Sequence, residues 1–300
     1  MVDFIHNNKD LYGVDAICRI LPIAASTYYR TLDLADNPEH RAKRDLHDEH
    51  HAEQIKRIWK ESSGRYGVRK VWQQLKREGY VIARCTVARL MQKLAIQGVW
   101  RGKNKQTTRS RDDQKRADDL VKRNFSADRP DQLWVSDFTY IQTHSGWVYT
   151  AFIIDVFSRA IVGWKVSTRM NTDMVLDALE QALHDRGMPK NVIHHSDRGV
   201  QYLSIRYTNR LEAANLRASV GTTGDSYDNA LAETVNGLYK TEVIEYLKAD
   251  WQGLADVQLA TLNWVDWFNK KRVHSALGYV SPFEFEAMYY DKINPLGQVA

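Results

Sequence analysis

Leu133-Trp134-Val135-Ser136-Asp137-Phe138-Thr139-Tyr140-Ile141 sets one carboxylate in the middle of a run rich in apolar, aromatic and β-branched side chains. Such a run reads as a β-strand, and a charge inside it needs a partner or a metal ion. His144-Ser145-Gly146 makes a turn, and Trp147 to Val156 and Ala160 to Val166 read as the second and third strands. Asn171 or Thr172 caps a helix, TDMVLDALEQALHDRG, that stops at Gly187 and Pro189. Val192 to His194 is a short fourth strand, a helix spans about 204–214, and Leu216 to Val220 is a fifth strand. The Gly-containing loop GTTGDSYDN then leads into a long helix from about Asn229 to Tyr246. Three meandering strands followed by alternating helices and strands predict an α/β fold, a mixed five-stranded sheet with flanking helices.

Upstream the texture differs. From Glu61 to Arg111 there are thirteen Lys and Arg against two Glu, a net charge of +11 in a chain whose total is +5. Charge segregated in this way marks a nucleic-acid-binding segment beside a domain of another kind. The segment 1–38 reads as helix-turn-helix-like. It has a stripe of Val14, Ile17, Ile20 and Leu21, a break at Pro22, a cap at Ser26, and Tyr28, Tyr29 and Arg30 facing outward. Residues 39–102 form a helical DNA-binding domain, with helices over HAEQIKRIW, the stretch carrying Val68, Val71, Trp72 and Leu75 up to Gly79, and ARCTVARLMQKLAI. The last helix buries Val87, Leu90, Met91 and Leu94 and presents Arg84, Arg89 and Lys93 outward, suited to the major groove. Arg65 and Arg69 belong to the same basic set. Residues 103–129 read as a basic polar linker, 130–248 as the α/β core and 249–300 as a helical extension. In that extension a helix spans about 253–269, and Ser281-Pro282-Phe283-Glu284 fits a capping box.

No apolar run approaches the roughly 20 residues of a membrane helix. The start MVDFIHNNKD lacks a secretory signal, and the two cysteines, Cys18 and Cys85, stand apart. A reducing cytoplasm is the expected location. The polar cluster HHSDRGVQY after the fourth strand reads as a solvated loop, a zinc site or a catalytic carboxylate, and with no cysteines nearby zinc recedes. Asp137 lies in the first strand and Asp197 just after the fourth, strands that are neighbours in a ribonuclease-H type of sheet, and Glu233 lies one turn into the long helix, on a polar stripe with Asn236, Gly237 and Lys240. Three converging carboxylates repel unless cations sit between them, and hard oxygen ligands suit two Mg²⁺ or Mn²⁺ ions.

WVSDFTYI, HHSDRGVQY and GDSYDNALAETVNGLYK together resemble the OrfB-type transposases of bacterial insertion sequences, members of the retroviral-integrase superfamily. There are 59 residues between Asp137 and Asp197 and 35 between Asp197 and Glu233, the second being the D,D(35)E hallmark of those enzymes. FNKKRVHSALGYVSPFEFE resembles their tail signature, with Val273 where proline is usual, and the helical front end matches as well. GTTGDSYDN departs from the Ser/Arg/Lys-richer loop common in relatives.

The resemblance implies an RNase-H-like core and Mg²⁺-dependent cleavage at the 3′ ends of the element. It also implies joining of the freed 3′-hydroxyl to a target phosphodiester, assembly of several copies on double-stranded DNA, and in many relatives a frameshift fusion to an upstream protein. Asp137, Asp197 and Glu233 are then the expected metal ligands, and Lys240 contacts the DNA backbone. Tyr227, Asp228 and Asn229 fix the start of the catalytic helix, with Tyr227 and Asn229 also candidate DNA contacts. His195 and Gln201 touch DNA or orient Asp197; Arg159 binds a phosphate or pairs with an acid; His274 is structural. Two other functions compete: an RNase-H-like nuclease that cleaves without joining, and a DNA-binding regulator without catalysis.

Overall fold

The computed structural model describes residues 1–100, 121, 125–197, 199–220, 229–247 and 250–294. The sheet is RNase-H-like in its order. Strands β1 (Leu133–Thr143), β2 (Gly146–Asp155) and β3 (Ile161–Ser167) form an antiparallel meander, while β4 (Ile193–Ser196) and β5 (Arg217–Val220) add in parallel on the other side of β1. The order across the sheet is β3-β2-β1-β4-β5. Side chains alternate between faces along each strand. Trp134 therefore packs with Met174, Leu179 and Leu183, while Val135 packs with Val235, Tyr239 and Trp264 on the opposite face.

The first face is covered by the helices that connect the parallel strands. These are α7 (Thr172–Asp185), whose N-cap Asn171 accepts from Met174 N–H, and α8 (Ile205–Ala213). The second face is covered by α9 (Ala230–Tyr239) and α10 (Leu254–Lys270). The expected long helix changes pitch at Lys240, where the chain opens into a π-helical stretch, Lys240–Glu245. Helix α11 (Pro282–Ile293) begins with the expected capping box between Ser281 and Glu284. The linker lies mostly outside the described residues, but Val121, Phe125 and Ala127 pack on the core. Among the described residues no helix is long and apolar enough to cross a membrane.

Ahead of the sheet stand two helical groups. The first comprises α1 (Val2–Tyr12), α2 (Val14–Ile20) and α3 (Ala25–Asp36) around Ile5, Ile17 and Tyr28. Here the sequence misled. Ala24, not Ser26, is the N-cap of α3, because the extended backbone that a cap requires falls two residues earlier. That shift turns Tyr28 inward, at 1% exposure, with its hydroxyl 3.3 Å from His6 Nδ1, while Ile20 is left 86% exposed.

The second group comprises α4 (Lys43–Glu61), α5 (Val68–Arg77) and α6 (Arg84–Lys93), packed through Ile55, Ile58, Val71, Leu75, Val87 and Leu90. Helix α4 starts earlier than its apolar stripe because its first turns are charged and solvated. This group is docked on the core. Tyr66 Oη donates to Lys271 O at 3.2 Å and accepts from Val273 N at 2.8 Å. Gly64 (φ +74°) allows Tyr246 to lie against the backbone, where a Cβ would meet the phenol oxygen at 2.0 Å.

Candidate active site

Asp137 projects from β1 beside α9, opposite Phe152 of β2. Its Oδ1 accepts from Phe138 N at 2.8 Å and its Oδ2 from Asn236 Nδ2 at 2.9 Å. The Asn236 bond spans 99 residues and ties β1 to the helix that carries Glu233, one turn before Asn236. Asn236 is buried, and its own Oδ1 has no hydrogen-bond partner among the described residues.

Asp197 follows β4 directly, and its Oδ1 accepts from Gly199 N at 2.9 Å. Parallel pairing of Ser136 with Ser196 sets Asp137, in the middle of β1, beside Asp197, just past the C-terminal end of β4. A Cβ at Gly199 would lie 3.1 Å from Asp197 Oδ1 and 3.2 Å from Gln201 Oε1, so this tight turn leaves no easy room for a side chain.

The electrostatics follow from this crowding. Burial, then the facing Asp197 carboxylate and more weakly Glu233, push Asp137 up to about 8 against the help of its two donors. Burial likewise raises Asp197, opposed by the Gly199 N–H and by His195. Asp155, a further buried acid at the end of β2, offers a contrast. It accepts from Asp131 N, Ser158 N and Ser158 Oγ at 2.8–3.0 Å and thereby closes a turn.

Glu233 is exposed on the first turn of α9. Among the described residues no three His, Cys, Asp or Glu side chains already close around a metal position. The donor chemistry, carboxylate oxygens and one unpartnered buried amide oxygen, nevertheless fits a hard divalent cation.

Lys240 lies at the junction of α9 and the π-helical stretch, half-buried, with Nζ 4.7 Å over the Tyr140 ring. Burial lowers its pKa, while Glu245 and Asp137 draw it back up. Asn229 sits at the N-cap of α9 but does not cap it with its side chain. Its Nδ2 donates to Ser136 O at 2.9 Å, tying the start of the helix to the neighbour of Asp137.

His195 is buried, with Nδ1 2.9 Å from Ser219 Oγ, and Gln201 is buried with Nε2 3.5 Å from Met170 O. Tyr227 and Asp228 lie outside the described residues. Arg159 is partly buried near Asp155, and His274 meets Phe268 edge to face, centroids 4.7 Å apart.

The basic candidates divide. Arg84 and Lys93 are exposed on α6. Arg89 is engaged in a two-pronged pair with Asp48, 2.8 Å to each oxygen. Arg65 turns toward the core: its Nε donates to Glu242 O at 3.0 Å and its guanidinium stacks 4.8 Å from the Trp267 ring. Arg69 lies 5.8 Å over Tyr279. Asn236 had been readable only as part of a polar stripe. Its role as the partner of Asp137 depends on a contact that no local pattern announces.

Comparison with known proteins agrees with this architecture. The integrase core domain matches residues 127–226 and, in a second profile, 214–282, and an HTH-like domain matches residues 46–104. The chain is 52% identical over 293 residues to the transposase for insertion sequence element IS629 of Shigella sonnei, covering 98% of each. It is 49% identical over 275 residues to a putative transposase for insertion sequence element IS986/IS6110 of Mycobacterium tuberculosis, covering 90% of this chain and 97% of that one. The HTLV-2 integrase catalytic core domain, solved in complex with magnesium, is similar at a TM-score of 0.44 and 18% identity, covering 54% of this chain and 99% of that one. With half its residues shared along nearly its whole length, the chain belongs to the OrfB-type transposases of bacterial insertion sequences, within the retroviral-integrase superfamily.

Proposed function

We propose that this transposase binds the ends of its insertion sequence, cuts each 3′ end and joins the freed 3′-hydroxyl to a target phosphodiester. The observation that carries the reading is the meeting of Asp137, inside β1, with Asp197, just past the end of the parallel strand β4, with Asn236 tying Asp137 to the helix that bears Glu233. Asp137, Asp197 and Glu233 are the residues that would hold two Mg²⁺ ions, with Mn²⁺ able to substitute. When bound, such ions supply activation of the attacking oxygen and stabilisation of the leaving one.

The chain's own groups set the geometry. Asn236 and the Phe138 N–H fix both oxygens of Asp137, and the Gly199 N–H fixes one oxygen of Asp197. Lys240 supplies a positive charge for the scissile strand, and Asn229 holds the entry of α9 against β1. In the first step a water oxygen bonds to phosphorus as the P–O3′ bond breaks, leaving a 3′-hydroxyl on the element and a 5′-phosphate on the flank. In the second, that 3′-oxygen bonds to a target phosphorus and displaces the target's own 3′-oxygen. Both are in-line displacements that require no side-chain nucleophile.

Arg84, Arg89 and Lys93 read the end DNA, assisted by assembly of several copies and by an upstream frameshift partner. His195 and Gln201 act by supporting the loop that carries Asp197. The test offers labelled element-end duplex and target plasmid with Mg²⁺. Wild type gives nicked ends and joined products, and Asp137→Asn gives neither. Equal products from both proteins would end the proposal, and nicking without joining would make the protein a nuclease only.

A further inference from the structure

Tyr140 and Trp147 face solvent on the β1–β2 hairpin, each 49% exposed. Their rings meet edge to face, centroids 5.3 Å apart at 79°. Among the described residues neither ring belongs to a hydrophobic cluster. The hairpin is held still: His144 N donates to Trp251 O at 2.9 Å, and Ser145 N and Oγ donate to Gln252 O at 3.0 and 2.6 Å. Lys240 lies over Tyr140 at 4.7 Å and also feels the charge of Asp137, so one side chain links the pair to the acidic site. Tyr140 stands three residues along β1 from Asp137, about 10 Å or about three nucleotide steps; its side chain leaves the opposite face of the strand, and Lys240 is the group that bridges the two.

We propose that Tyr140 and Trp147, with Lys240, form a stacking platform for one unpaired base of the DNA strand held at the acidic site. The inference rests on the transposase chemistry proposed above and adds a nucleotide subsite to it. A cation beside open aromatic faces suits a polyanion whose every unit carries a π-face. A protein partner fits poorly, since two half-exposed rings offer roughly 200 Å² and a specific protein interface needs about 800 Å² per side. A strand end reaches the carboxylates only if the duplex opens there. A rigid surface that receives the released base offsets part of the unpairing cost.

The test compares wild type, Trp147→Ala, Tyr140→Ala and Trp147→Phe on two forms of the element's own terminal DNA. One form is fully paired, and the other is mismatched over the three base pairs at the cut. The alanine variants nick paired ends roughly ten- to one-hundredfold more slowly, mismatched ends recover most of the rate, and Trp147→Phe stays near wild type.

In parallel, 2-aminopurine is placed at each terminal position and its fluorescence read in an Asp137→Asn background, where no cutting intrudes. Quenching at one position, lost on Trp147→Ala, supports the platform. Equal slowing on paired and mismatched ends, no slowing, or no position-specific quenching overturns it. Self-association that vanishes in Trp147→Ala would make the surface a protein contact and would also overturn it. A wild-type protein that cuts no end contradicts the proposed chemistry instead, while the fluorescence still decides the platform.

Discussion

Asp137 is a carboxylate placed where a carboxylate is poorly solvated, facing another of the same sign. Such groups oppose folding while they serve function. Asp137→Asn is therefore expected to abolish cutting and at the same time to raise the thermal midpoint of the metal-free protein by several degrees, roughly the 1–2 kcal/mol released once folding no longer has to bury or protonate that carboxylate. Differential scanning fluorimetry with and without Mg²⁺ checks this. The acids were legible because each interrupts its surroundings: a charge inside an apolar strand, a polar cluster after a short strand, an acid in the first turn of a helix. Asn236 was less so, since an amide on a polar helix stripe has many uses and only the tertiary approach of α9 to β1 selects one.

At the scale of elements, α6 was legible from its two faces, and so were the strands and α7 from pattern and caps. What sequence did not show is that α4 supplies a counter-charge: Asp48 grips the Arg89 guanidinium in the free protein, and that bond holds Asp48 well into its ionised range. On the reading proposed above, DNA competes with that carboxylate for Arg89. Asp48→Asn is expected to tighten binding to end DNA several-fold, whereas Arg89→Ala weakens it and reduces the slope of log affinity against log salt by about 1. Fluorescence anisotropy across a salt series measures both, and an unchanged slope for Arg89→Ala would move the contact to another residue. The α3 boundary was misread because a serine was given a capping role that backbone geometry assigns to Ala24.

At the scale of the molecule, the second helical group and the sheet layer share a buried polar seam. Glu242, in the π-helical stretch, accepts from Arg272 at 2.6 Å and from Trp264 Nε1 at 3.0 Å, while Arg65 reaches its backbone oxygen. Lys70 lies inside the same seam over Tyr66, and burial, with Arg272 beside it, lowers its pKa to about 7. The unfolded chain keeps that proton up to about pH 10.5, so between about 7 and 10.5 it binds more protons than the folded chain. Stability therefore rises with pH across that window, and the full cost of the charged amine is present below it. Lys70→Met is expected to remove this rise and to stabilise the protein by about 1–3 kcal/mol at neutral pH, as read from urea melts at pH 6.5, 8 and 9.5. None of this seam was readable beforehand, because its bonds join residues as far as 207 apart.

The parallel pairing of β1 with β4 has a consequence in time. The β1–β3 meander can pair as soon as it leaves the ribosome, for its contacts are local. Asp197 arrives 60 residues after Asp137, Asn236 comes later still, and Arg272 must emerge before Glu242 has its buried partner. A nascent or prematurely terminated chain thus holds only fragments of the cutting centre. On the chemistry proposed above, cutting can begin only after β4, α9 and Arg272 have all been made.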